Sequence, residues 1–175
     1  MRYVDEPVVR LRGLRSVTLC VPDAVTSREF YSEVWGLDVV ESEGGRSWLR
    51  GTGEEHHILE LDTAGRNAMG GICFAVATPR EIDDAARALR RCGIPMLAEP
   101  HRSDGPEGGY SLSLVDPEGR VVRLAAEMHA VVRRDERGYA ALPRKLAHVV
   151  LNTVDIDRAT AFYTQVLGMR ISDWS

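Results

Sequence analysis

Apolar and polar positions alternate from Leu14 to Val21. Val17, Leu19 and Val21 point one way, and Ser16, Thr18 and Cys20 point the other. That period of two predicts a half-buried strand, which Pro22-Asp23 ends. The spacing then changes. Phe30 and Val34, with Tyr31 beside them, fall on one helical stripe, Thr26-Ser27-Arg28-Glu29 fits a capping box, and Gly36 stops the helix. A second switch of the same kind follows. Strand-like GICFAV precedes Thr78-Pro79-Arg80-Glu81, which offers a capping threonine, proline at the first helical position and glutamate at the third. Ile82, Ala85, Ala86 and Leu89 make the inner face of that helix, and Gly93 closes it. Short strands with turn residues come after each helix. Glu43-Gly44-Gly45 and Gly51-Thr52-Gly53 punctuate the first set; 105–109 and Asp116-Pro117-Glu118-Gly119 punctuate the second. Both stretches therefore read as βαβββ units.

The chain also repeats itself. Leu14–Val40 lies over Leu146–Ser172 without a gap. Identical pairs include Leu14/Leu146, Val17/Val149, Leu19/Leu151, Asp23/Asp155, Phe30/Phe162, Tyr31/Tyr163, Val34/Val166 and Gly36/Gly168. An ordered set of Asp, Phe-Tyr and Val-x-Gly is more than matching hydrophobicity supplies. The organisation predicted is a pair of βαβββ units over 10–126, a charged linker over 127–145, and the opening of a third unit over 146–175.

Composition narrows the classes of function. The 175 residues are 44% hydrophobic and 27% charged, with a net charge of −4. An acidic balance disfavours nucleic acid and anionic membranes as partners, and no apolar run approaches the ~20 residues of a membrane span. Cys20, Cys73 and Cys92 are odd in number and widely spaced, which reads as reduced thiols in a cytoplasmic protein. No nucleophile triad or phosphate-cradling glycine loop is present. His101 and His129 have no partner at ligand spacing.

Tandem βαβββ units, with small residues on one face of each first strand and Asp116-Pro117-Glu118-Gly119 before the last strand, resemble the vicinal oxygen chelate superfamily. That superfamily includes glyoxalases, bleomycin-resistance proteins and extradiol ring-cleaving dioxygenases. The third opening, LAHVVLNTVDIDRATAFYTQVLGMR, is most similar to the extradiol, catechol 2,3-dioxygenase-like branch. The resemblance implies an α+β fold in which the first two units close into a non-catalytic, cup-shaped barrel with helices outside. It further implies a catalytic barrel made by the third unit and a fourth, with Fe(II) or Mn(II) held by two His and one Glu. The first of those histidines corresponds to His148, on the strand expected to open the third unit; the other two ligands would lie beyond Ser175. The chain is then expected to be the N-terminal part of a longer enzyme and not to hold the metal by itself. Its implied partners are a catecholic diol and O₂. The rival expectation is a glyoxalase- or bleomycin-resistance-like protein that binds a small molecule without catalysis. Val149, Leu151, Phe162, Val166 and Leu167 would want partners, so the tail is expected to pack against or exchange with another copy in a homo-oligomer.

In the first two units, the family's four ligand positions correspond to Ser16, Glu60, Gly71 and Arg123. Ser and Gly supply no imidazole, and a guanidinium does not ligate a metal, so this barrel is expected to hold none. A carboxylate at Glu60 then needs compensation. Glu60 and Arg123 either pair with each other or both reach solvent at the mouth. His56-His57 invites a metal reading, but strand alternation would let only His56 share the face of Glu60, with His57 turned toward the helices.

Overall fold

The computed structural model describes residues 7–134 and 142–173. The middle of the expected linker, 135–141, and both extreme ends lie outside the described residues. The elements follow the predicted order: β1 (Gly13–Val21), α1 (Ala24–Glu33), β2 (Asp38–Glu43), β3 (Arg46–Arg50), β4 (Leu59–Thr63), β5 (Ala68–Ala75), α2 (Pro79–Arg91), β6 (Met96–Arg102), β7 (Tyr110–Val115), β8 (Val121–Ala126) and a short α3 (Ile156–Ala161). This is the α+β arrangement of two βαβββ units.

The eight strands form a single sheet in the order β2-β3-β4-β1-β5-β8-β7-β6. Each unit contributes four neighbouring strands, and the units meet where β1 runs antiparallel to β5. Within the units, β1 pairs parallel with β4 and β5 pairs parallel with β8, so the halves match about that central seam. The sheet does not close. β2 and β6 are its edges, which replaces the closed barrel expected from the sequence.

Alternation gives the sheet two chemically different faces. The outer face carries two apolar clusters. Leu37, Leu49, Leu59 and Leu61 pack with Val17, Leu19 and Tyr31 at α1, while Phe74, Leu112, Leu114, Val122 and Leu124 pack with Ile82, Ala85, Ala86 and Leu89 of α2. Each leucine so buried contributes roughly 2 kcal/mol of transfer free energy. α2 begins as its sequence predicts, with the Thr78 hydroxyl accepting from the Glu81 amide at 3.2 Å. α1 begins three residues earlier than the capping box suggests. Asp23 is its cap, its carboxylate accepting from the amides of Val25 and Thr26 at 3.0 Å each. That start turns Tyr31 inward and leaves Phe30 and Val34 49% and 68% exposed, so the predicted stripe is not the buried one.

The third unit differs most from expectation. Residues 146–151 form no strand, because a strand needs a ladder partner and no described strand lies beside them. Its helix does form, capped by Asp155 and continued by a π-helical turn at Phe162–Val166. Nor is this helix left exposed. Phe162, Val166 and Leu167 are buried with Val9 in the larger cluster, and the Val9 amide donates to the Val166 carbonyl at 3.0 Å. Packing within the chain thus replaces the expected contact with another copy for these three side chains. The turn at 116–119 fastens the same segment: Tyr163 donates to the Asp116 carboxylate at 2.9 Å, Thr153 donates to Glu118, and Arg120 donates to the Asn152 carbonyl.

Candidate functional site

The inner face of the sheet is polar. Ladder register puts Ser16, Cys73, Arg123 and Ser113 in one row across β1, β5, β8 and β7. An adjoining row holds Glu60, Thr18 and Gly71 across β4, β1 and β5. The four positions singled out in the sequence, Ser16, Glu60, Gly71 and Arg123, therefore occupy neighbouring rows of one face. Glu60, Gly71 and Arg123 line one hollow of about 320 Å³ together with Thr18, Cys20 and Cys73.

The charges inside it do not pair as the sequence suggested. Glu60 accepts from the Thr18 hydroxyl at 2.8 Å. Arg123 instead donates to Glu107 at 2.6 Å. Glu107 comes from the Gly- and Pro-rich turn between β6 and β7, and its side chain is almost wholly buried. No periodicity extends into that turn, so nothing in the sequence placed Glu107 beside Arg123. Burial would push its carboxyl up, but the Arg123 guanidinium, its own amide and nearby His57 outweigh this and hold it below the usual carboxylate range. Burial likewise works against the charge on Arg123, and Cys73 and Glu107 overcome it.

His56 and His57 precede β4 rather than belonging to it, so strand alternation does not separate them. Both are buried, and their Nδ1 atoms lie 3.1 Å apart. His57 is 1% exposed and feels the charges of both Glu107 and Arg123, while Glu107 also acts on His56. Among the described residues the buried Nε2 of His57 has no hydrogen-bond partner. Burial pushes the His57 imidazole down to about 3, with Glu107 opposing the shift. His56 is also lowered, again chiefly by burial.

Linker residues are tied to the backbone beside Glu107 and the histidine pair. The His129 amide donates to the Glu107 carbonyl at 2.8 Å, and the Val131 amide donates to the Glu54 carbonyl at 2.9 Å. On the other side of 135–141, the Pro143 and Arg144 carbonyls accept from the amides of Thr52 and Gly53. Glycine at 53 permits this approach, since a Cβ there would come within 2.7 Å of the Arg144 carbonyl oxygen.

His148 lies elsewhere. It is exposed and lines a separate cavity of about 660 Å³ between the third unit and the outer side of β5, with Leu11, Leu14, Phe74, Tyr163 and Met169. Among the described residues, no three His, Cys, Asp or Glu side chains come together as metal ligands. One imidazole does not make the two-histidine, one-carboxylate set that an oxygen-activating centre needs, so the residues present do not by themselves fit the metal.

Paired βαβββ units in one sheet, with helices on the outside and a polar hollow within, define a protein of the vicinal oxygen chelate fold. The chain belongs to the Glyoxalase/Bleomycin resistance protein/Dioxygenase superfamily, whose family model matches residues 13–124 and 145–174. It is similar to the Mn(II)-bound glyoxalase from Novosphingobium aromaticivorans, with a TM-score of 0.88 and 30% identity over 94% of this chain and 55% of that one. Homoprotocatechuate 2,3-dioxygenase from Arthrobacter globiformis superposes with a TM-score of 0.84 and 27% identity, over 97% of this chain and 53% of that one. A manganese-dependent 2,3-dihydroxybiphenyl 1,2-dioxygenase from Geobacillus genomosp. 3 is 22% identical over 90% of this chain and 54% of its own length. The chain thus spans about half the length of these relatives. Among the described residues, no helix is long and apolar enough to cross a membrane.

Proposed function

We propose that this chain is the N-terminal portion of an extradiol ring-cleaving dioxygenase acting on catecholic diols, with residues 146–175 opening its catalytic half. The observation that carries the reading is the duplicated opening of the third unit, LAHVVLN, in which His148 would correspond to a metal ligand of the extradiol branch. The extensive superposition on homoprotocatechuate 2,3-dioxygenase supports it. In this reading the first two units are a non-catalytic partner to the catalytic half, the protein is a cytoplasmic homo-oligomer, and His148 is one of three ligands to Fe(II) or Mn(II). Such a metal, when bound, supplies a template on which diol and O₂ meet. The described residues furnish neither the second imidazole nor the carboxylate, so no step of ring opening is assigned to them.

A glyoxalase-type isomerase is the second reading, favoured by the similarity to the Mn(II)-bound glyoxalase. The two are separated with the protein produced from its natural start to its natural stop. Under the dioxygenase reading it contains stoichiometric Fe or Mn by elemental analysis and consumes O₂ with a catechol, and His148→Ala loses both properties. Metal retained in full by His148→Ala, or isomerisation of a hemithioacetal without O₂ uptake, overturns it.

A further inference from the structure

We propose that the hollow of the first two units is a binding site in its own right, for a small zwitterion bearing an ammonium group and a carboxylate. Its volume of about 320 Å³ is in the range of small-ligand sites. Of the charged groups around it, Arg46 is paired with Asp62 at 3.3 Å and Arg123 with Glu107 at 2.6 Å. Glu60 stands apart. Among the described residues its only hydrogen-bond partner is the Thr18 hydroxyl at 2.8 Å, and it takes part in no ion pair. A half-buried carboxylate left with one neutral donor favours a cation, and an ammonium group satisfies both its charge and its remaining lone pairs.

The opposite wall answers the other end of such a ligand. Arg123 commits Nη1 to Glu107, yet its guanidinium carries five N–H donors and its side chain remains 25% exposed. The Ser113 hydroxyl is its cross-strand neighbour, and both residues line the hollow. Glu60 and Arg123 lie three strand spacings apart, about 14 Å along the sheet, and their long side chains reach into the same space. What remains between them suits an amino acid, with its ammonium on Glu60 and its carboxylate on Arg123.

Gly71 on the floor supports this. A Cβ there would meet nothing closer than 3.5 Å, and its backbone is not in the left-handed region, so neither packing nor conformation calls for glycine. The missing side chain keeps the floor open.

The test titrates the chain with each of the common amino acids singly, by calorimetry, and then compares the tightest binder with its amide and its N-acetyl derivative. The amide lacks the carboxylate and the N-acetyl compound lacks the ammonium; each should bind at least about tenfold more weakly. Glu60→Gln should weaken the amino acid by about tenfold without changing the circular dichroism spectrum. Gly71→Ala, which the packing accommodates, should weaken it several-fold by filling the floor. The proposal is overturned if no amino acid binds with a Kd below about 10 mM. It is equally overturned if Glu60→Gln binds as tightly as the parent, or if the amide binds as well as the amino acid, which would assign the hollow to cations alone.

Discussion

His57 places an acid limit on the stability of this fold. Its ring is 1% exposed, its Nε2 has no partner among the described residues, and burial pushes it down to about 3 from an ordinary 6.5. The folded chain therefore carries a neutral imidazole over most of the pH range, while the unfolded chain takes up a proton as soon as pH falls below about 6.5. Stability from this residue is complete above that value and is lost as pH drops toward the depressed one, at about 1.36 kcal/mol per pH unit. By pH 5 the loss is about 2 kcal/mol, a figure that depends only on the unfolded value while the folded one lies well below 5. For a domain of this size that lowers the melting temperature by roughly 4–8 °C. Glu107 and Asp116 are held below their ordinary values and also weaken the fold in acid, but only beneath about pH 4.5, so the window from 5 to 6.5 reports the histidines. The measurement is urea unfolding at constant ionic strength from pH 5 to 7.5, for the parent and for His57→Asn, which retains a polar group near His56 and does not titrate. His56 shifts in the same direction and persists in both proteins, so the difference between the two slopes belongs to His57. Parallel slopes, or a parent stability unchanged from pH 7 to 5, would refute the reasoning.

Three further outcomes follow from the packing. Glu107→Gln strips the partner from a largely buried guanidinium and should cost about 3 kcal/mol in urea unfolding, whereas a same-sized loss in Glu60→Gln would mean that Glu60 is the true partner. Tyr163→Phe removes a hydrogen bond to a buried carboxylate and should cost about 1.5 kcal/mol, with faster amide exchange over α3 than over β5. Phe162→Ala should cost about 3–4 kcal/mol, since its ring shares a core with Val9 and Leu167; a cost below about 1 kcal/mol would show the third-unit helix to be loosely held.

Much of the architecture was legible in the linear pattern. Strand alternation is local, so the pattern alone assigns Val17 and Leu19 to one face and Ser16 and Thr18 to the other. Thr78-Pro79-Arg80-Glu81 carries its own capping chemistry, and α2 starts there. The duplicated order of Asp, Phe-Tyr and Gly marked the third unit and placed a helix in it. The shared hollow was foreseeable from the family resemblance for Glu60, Gly71 and Arg123, while Ser16 lies on the same face without being among the lining residues. What tertiary structure alone decided are the partners reached through loops. Glu107 enters from a turn whose path depends on strands distant in sequence, and it takes Arg123 away from Glu60. His56 and His57 read as strand residues until the ladder is seen to begin at Leu59. The tail, which seemed to need another copy, finds Val9 and Asp116 instead, because a buried apolar stripe is satisfied by whatever surface the whole fold brings to it. Periodicity states which way a side chain points; it carries no information about what will be waiting there.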